Sequence, residues 1–421
     1  MKRVVIFAHQ CKPFHEPGRE VASQRAHYFA RYLPGAGWDC TVFCATREGQ
    51  ERVLEGPGWR IIGVPSADLP AGRQLWQELK DRDAGGAFRK GLSWWYAGHG
   101  DNGIVWAPRA VERAMEIHRK EPFDAVIGEH SPDGGVEAAS QFFRLTGIAY
   151  VIDLRDPVGI LFDKNARKFS YFQQRSRGAA LITSTSASWV PAFEAAYKLP
   201  VWVLTHAYDE SELDAARAMH FDAPTIVYAG STYIGQRWDA VARAIDSTDG
   251  GLRFWSAGHG AWRIREALRD DGRVKATVLD SVPRERALSA QKGATALLLV
   301  SHHGGCVSAR TFEHIASGAP IIYFPADGSE IESRIRQSGA RFRVVADENE
   351  LGKLFREIVR GGARWDQMIG DGDYTRYSRA RQAERLGQIL DGVCFDAEFP
   401  SKFDLQTATP DPIQSEVAKA G

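Results

Sequence analysis

Short apolar runs alternate with longer stretches of helical period along most of the chain, and near the middle the alternation starts over. The first array of runs is Arg3–Ala8, Asp39–Cys44, Arg60–Val64, Ala125–Gly128, Ala149–Asp153, Ala180–Thr183 and Val201–Leu204. The second is Thr225–Ala229, Leu252–Ser256, Val274–Leu279, Ala296–Val300, Pro320–Phe324 and Arg341–Val345. Strands that are continuous apolar runs are buried on both faces, which is the signature of parallel sheets covered by helices. The intervening segments have the matching period: Val111, Ala114, Met115 and His118 fall at i, i+3, i+4 and i+7. One sheet of about thirteen strands would be unusually wide. The pattern therefore predicts an α/β protein with two doubly wound, Rossmann-like domains facing each other across a cleft. The expected limits are 1–204 and 205–373, with a last long helix over 374–392 and a disordered tail over 396–421. The stretch Ser66–Ala107 has no clear period and carries Trp76, Trp94, Trp95 and Trp106. It reads as an inserted loop.

Composition narrows the function classes. The 421 residues carry 53 basic and 53 acidic side chains, and 44% of them are apolar. Zero net charge argues against a partner as anionic as bulk nucleic acid. No apolar run approaches the ~18–20 residues of a spanning helix. Val4–Ala8 is too short for a leader's apolar core and reads as a first strand. The five cysteines show no paired spacing, so a reducing, cytoplasmic location is expected.

In open α/β sheets ligands bind at the carboxyl ends of strands, so candidate chemistry is sought there. The first strand leads through Gly18 to a helix with Ser23 and Arg25, but no GxGxxG is present. The fourth leads into Glu129-His130-Ser131-Pro132-Asp133, an ionisable cluster at a helix start. The fifth leads into Asp153-Leu154-Arg155-Asp156. In the second array Gly230, Ser231 and Arg237 follow the first strand, and Arg237 suits a diphosphate because a guanidinium offers paired donors. Gly258 follows the next strand, and Ser281 the one after. Gly305 and Cys306 precede a helix with Glu313, whose carboxylate suits ribose hydroxyls. His302-His303 are adjacent and point apart, with no third ligand in view, so no metal is expected.

Taken in order, four segments of the second array resemble the retaining glycosyltransferases of family 4, which have the GT-B fold. They are Ile226–Gly230 with Arg237, Gly258-His259-Gly260, Val278–Val282 with Pro283, and the stretch from Phe312-Glu313-His314-Ile315 to Ser317-Gly318-Ala319-Pro320. The last is similar to a family helix reading "FEYLAAGxP". In the first array Ala22-Ser23-Gln24-Arg25 resembles an "ASxR" stretch of polysaccharide-building members. Ser131-Pro132 and Arg155-Asp156 resemble "SP" and "RD" stretches, Thr205–Asp209 stands where a "PNGxD" linker would, and the final helix resembles the one that crosses back onto the first domain.

The resemblance implies a nucleotide-sugar donor held mainly by the second domain and a saccharide, glycoconjugate or small-molecule acceptor held by the first. It implies no metal and no cofactor. Arg237 then balances the diphosphate, Glu313 holds the ribose and Val278–Ser281 offers backbone to the base. His130 contacts the transferred sugar or its phosphate. Gly18, Ser23, Arg25 and Arg155 lie on the acceptor side. Two positions depart from the family: Gly305 stands where a first Glu is frequent, and Ser231 where a basic residue is common. Two other readings compete. A non-hydrolysing sugar-nucleotide epimerase would use carboxylates such as Asp133 and Asp156. A non-catalytic partner would explain Gly305 and Ser231.

Overall fold

The computed structural model describes residues 2–14, 24–46, 49–66, 102–156, 166–268, 274–301, 307–366 and 373–404. The chain forms two compact units, Met1–Thr205 with Gln382–Gly421, and His206–Arg381.

The first unit is built on β1 (Lys2–Phe7), β2 (Trp38–Thr46), β3 (Arg52–Gly56), β4 (Trp59–Pro65), β5 (Ala125–His130), β6 (Tyr150–Leu154), β7 (Ala179–Ser184) and β8 (Val201–Val203). The sheet order is β3-β4-β2-β1-β5-β6-β7-β8. Every pair is parallel except β3 with β4, an antiparallel hairpin in which Gly56 faces Trp59. Strand β3 is absent from the apolar pattern because four of its five residues are exposed. It is an edge strand, held by backbone pairing with β4 and not by burial. The central strands are apolar on both faces, and all six residues of β5 are buried. Helices α1 (Gln24–Tyr32), α2 (Ala107–His118), α3 (Gly134–Thr146), α4 (Ala166–Arg175) and α5 (Val190–Tyr197) belong to this unit. Helix α2 buries Ala110, Val111, Ala114 and Ile117. Its apolar stripe adds Ile117 to the expected residues, with Met115 and His118 half-buried at its edge and His118 edge-on to Phe142 at 5.4 Å. Trp106 is fully buried at the start of α2, so this part of the expected inserted loop is core. Trp76, Trp94 and Trp95 lie outside the described residues.

The second unit carries β9 (Thr225–Ala229), β10 (Arg253–Ala257), β11 (Lys275–Leu279), β12 (Ala296–Val300), β13 (Ile321–Phe324) and β14 (Phe342–Val344). Their order, β11-β10-β9-β12-β13-β14, is the 3-2-1-4-5-6 arrangement of a doubly wound sheet, and every pair is parallel. Its helices are α6 (Glu210–Ala215), α7 (Trp238–Asp246), α8 (Trp262–Leu268), α9 (Arg284–Gly293), α10 (Ala309–Ala316), α11 (Glu330–Arg336) and α12 (Glu348–Val359). On one face Val241, Ala244 and Ile245 of α7 pack with Leu351, Phe355 and Ile358 of α12. Asp347 starts α12 by accepting from the backbone of Asn349 and Glu350, a cap of about 1 kcal/mol.

A final helix, α13 (Arg379–Phe395), spans the boundary between the units. Its Ala383, Leu386, Ile389 and Leu390 join Leu33, Trp38 and Val42 in the first unit's core. Asp391 binds Lys2 Nζ at 2.6 Å and Trp38 Nε1 at 3.1 Å. Residues 396–404, read from composition as the start of a disordered tail, lie along β8. Val203 N–H donates to Lys402 O at 2.9 Å, and Phe399 sits 4.8 Å from the Trp202 ring. This backbone and aromatic contact with β8, made while Phe399 stays exposed, is what composition did not suggest. The rest of the expected tail lies outside the described residues. No helix among the described residues is long and apolar enough to cross a membrane.

Candidate functional site

In each sheet the strand order reverses beside the first strand of the array, between β1 and β5 and between β9 and β12. A crevice opens outside the carboxyl ends at such a point, and ligands of open α/β sheets bind there. Sequence alone does not reveal strand order, so it cannot mark these two strand pairs. It does supply the residues at their ends.

In the second unit the loops after β9 and β10 are in direct contact. Gly230 N–H donates to Ala257 O at 2.7 Å, and Thr232 N–H donates to His259 O at 2.9 Å. Gly230 has φ +139° and Gly258 φ +154°, and a Cβ on Gly258 would run into the Gly230 carbonyl. Both positions demand glycine, for backbone conformation and for space. Arg310, on the second residue of α10, lies against Gly230, donates through Nη2 to Ser231 O at 2.8 Å and covers the Tyr228 ring at 4.5 Å. The Tyr228 hydroxyl donates to the same Ser231 carbonyl at 2.6 Å. Gln236 ties this loop to the neighbouring strand, donating through Nε2 to Val300 O at 2.9 Å while its Oε1 accepts from Tyr233 N–H at 2.8 Å. Arg237, just before α7, is exposed, and its guanidinium lies 5.7 Å from the ring of Phe324 at the end of β13.

The remaining predicted donor-side residues fall as follows. Glu313 is mostly buried on α10 and paired with Arg284 Nη1 at 2.9 Å. Arg284 also binds Glu212 of α6. Val278 is on the edge strand β11, where its carbonyl accepts from Arg265 Nη2 at 3.0 Å. Arg265 also makes two 3.0 Å bonds to Asp280 and holds that carboxyl below its usual range. Ser281 is exposed beside it. Gly305 and Cys306, with His302 and His303, lie outside the described residues.

In the first unit the ends of β1, β5 and β6 gather buried polar groups. His130 Nε2 is 3.1 Å from Asp133 Oδ1, and the ring stands edge-on to Phe172 at 5.0 Å. Lys168 Nζ approaches the same carboxylate at 3.8 Å. His130 Nδ1 is buried with no hydrogen-bond partner. Arg155 clamps this turn: Nε donates to His130 O at 3.1 Å and approaches Glu129 Oε1 at 3.0 Å, and Nη2 donates to Ser131 O. His9, after β1, meets Trp106 edge-on at 5.4 Å.

Arg25 is brought to this region but is turned inward. It is 2% exposed, bonds Asp153 through Nε at 2.7 Å and Nη2 at 2.9 Å, and donates to the carbonyls of Thr205 and Leu204. Thr183 completes the set by donating to Asp153 at 2.7 Å. Arg25 is a brace between α1 and the ends of β6 and β8, with its donors committed to protein acceptors. Arg155 has the same character. Of the two carboxylates considered for epimerase chemistry, Asp133 is buried beside His130, whereas Asp156 is exposed. Gly18 and Ser23 lie outside the described residues.

Arg310, Gln236 and Arg284 were missed from the sequence as site residues. The signal for Arg310 was its place two residues before Phe312, in the helix that carries the resemblance. Nothing local marks Arg284, or the distant bond of Gln236 to Val300.

No protein-family model matches the chain, and neither does any curated protein. Solved structures match it over nearly its full length. A sucrose-phosphate synthase from Thermosynechococcus elongatus is 13% identical, with a TM-score of 0.60, over 94% of this chain and 97% of that one. WaaG, a glycosyltransferase involved in lipopolysaccharide biosynthesis, is 11% identical with a TM-score of 0.51, over 93% and 98%. A UDP-N-acetylglucosamine 2-epimerase is 12% identical with a TM-score of 0.50, over 96% and 99%. At these identities the likeness establishes the fold. The chain is an α/β protein of the GT-B class, with two parallel-sheet, Rossmann-like units.

Proposed function

We propose that this protein is a glycosyltransferase that moves a sugar from a nucleotide-sugar donor to an acceptor, with retention of anomeric configuration and without a metal ion. The observation that carries the reading is the carboxyl end of the second sheet. There the Gly230 loop stacks on the Gly258 loop, and Arg237 stands exposed on Phe324. Close backbone approach plus a guanidinium is what a diphosphate requires. As the bond from sugar to diphosphate breaks, negative charge builds on the leaving phosphate. A fixed guanidinium lowers the energy of that state more than that of the bound donor, which is how it accelerates the step.

In this reading Glu313, oriented by Arg284, accepts from the ribose hydroxyls. The exposed edge at Val278 and Ser281 offers backbone to the base. Gly305 and Cys306 flank the donor. In the first unit His130 contacts a sugar or phosphate oxygen, and Gly18 and Ser23 belong to the acceptor side. The acceptor is a saccharide, a glycoconjugate or a small molecule.

The test is release of nucleoside diphosphate from UDP-, GDP- and dTDP-sugars by the purified chain, with and without simple glycoside acceptors. Arg237→Ala should lower turnover by about 10²-fold or more. No release from any donor overturns the proposal. A second reading, epimerisation at the nucleotide sugar, draws on the buried Asp133–His130 pair and on the fold shared with the epimerase. Its mark is an epimeric nucleotide sugar formed with no acceptor present.

A further inference from the structure

Arg310 is a cation with no counter-charge among the described residues. Its Nε is buried and has no hydrogen-bond partner, and no carboxylate pairs with it among the described residues. The guanidinium is nevertheless held in one orientation. Tyr228 lies beneath it at 4.5 Å, the Ser231 carbonyl accepts from Nη2 at 2.8 Å, and Gly230 leaves it room. A Cβ at residue 230 would collide with Nε, Cζ and Nη2 together. Keeping a partly buried charge unpaired is costly unless something anionic satisfies it part of the time. The described groups around it give no such partner. Ser231 offers a carbonyl, and His314, one helical turn along, is fully buried and held neutral, its pKa driven well down by burial and by the Arg310 charge.

We infer that Arg310 is an anion-binding residue of the second unit, supplying to a nucleoside diphosphate a second positive charge besides that of Arg237, at the Gly230 end of the loop. Ser231 fills the loop position with a neutral side chain. The cation arrives instead from α10, across the point where the sheet order reverses. Gly230 is therefore needed twice, for its backbone conformation and to admit this guanidinium. The ligand class is a phosphate diester or diphosphate. Naming it a nucleoside diphosphate rests on the donor-binding reading above.

The experiment is calorimetric titration of the full chain with inorganic pyrophosphate, with UDP, GDP and dTDP, and with the matching nucleosides. The proteins are the wild type, Arg310→Gln, Arg310→Lys and Gly230→Ala. Wild type should bind pyrophosphate and at least one nucleoside diphosphate. Arg310→Gln should weaken both by tenfold or more while nucleoside affinity changes less than threefold. Arg310→Lys should recover part of the loss. Gly230→Ala should resemble Arg310→Gln. Equal pyrophosphate affinity in wild type and Arg310→Gln overturns the inference, as does wild type that binds no diphosphate. Parallel loss of nucleoside affinity also overturns it, because Arg310 would then only prop the loop. If pyrophosphate binding depends on Arg310 but no nucleotide sugar turns over, the transferase reading fails and this one stands.

Discussion

Asp133 fixes which nitrogen of His130 carries the proton. Its carboxylate, 3.1 Å from Nε2, can only accept, so a neutral ring holds hydrogen on Nε2 and keeps its lone pair on Nδ1, which is buried and has no partner among the described residues. If His130 exchanges a proton during turnover, His130→Ala should lower turnover about 10²- to 10⁴-fold. Asp133→Asn should lower it as well, and should add little in a His130→Ala background. Steady-state rates of the two single variants and the double variant test this; strictly additive effects would refute the coupling.

The Arg25–Asp153 pair predicts a stability effect without a specific chemical one. Both groups are nearly fully buried, and Asp153 also accepts from Thr183. Removing one partner strands the other charge in the interior. Asp153→Ala should cost about 3–5 kcal/mol in urea unfolding. Replacing Arg25 should cost a comparable amount, and acceptor KM in any folded fraction should stay within a few-fold of wild type.

His314 predicts a pH dependence. The folded protein keeps its buried ring neutral well below the ordinary value of 6.5. Below that value the unfolded chain takes up a proton that the folded chain refuses. Stability is therefore undiminished above about pH 7 and falls as pH drops through 6.5, by up to about 2 kcal/mol at pH 5. His118, its pKa also lowered by burial, acts in the same direction. His314→Leu should flatten most of this slope in urea titrations between pH 7 and 5. A slope unchanged by the substitution would exclude His314 as its source.

Gly258→Ala should fail at the site before it fails in the fold. The new methyl meets the Gly230 carbonyl, and φ +154° is unfavourable for alanine. A loss of more than about 1 kcal/mol of stability is expected. Nucleoside diphosphate affinity should fall with it, measured side by side in melting and titration experiments.

What was legible in the sequence follows from burial. Strands such as β5 and β12 are apolar throughout because helices cover both faces, so their runs stand out. The exposed β3 has no such run and was invisible. Gly230, Gly258 and Arg237 could be found because strand ends are marked by where an apolar run stops. Arg25 could be found but not understood: a charged residue on a helix looks the same whether it faces a ligand or a buried Asp153 far along the chain. Arg310 needed three-dimensional information of another kind, since its place over Tyr228 and against Gly230 depends on residues some eighty positions earlier in the chain.

The contact of Lys2 with Asp391, and of β8 with residues 400–402, closes the first unit on itself from the two ends of the described chain. The second unit's entry and exit are equally close, since Tyr208 N–H donates to Tyr377 O and Arg379 N–H to Tyr208 O. Under tension applied at Lys2 and Asp391, force would run through α13 and β1 and bypass the long excursion between them. In a pulling experiment with handles at these two positions, the contacts of α13 with β1 should therefore be the first to break.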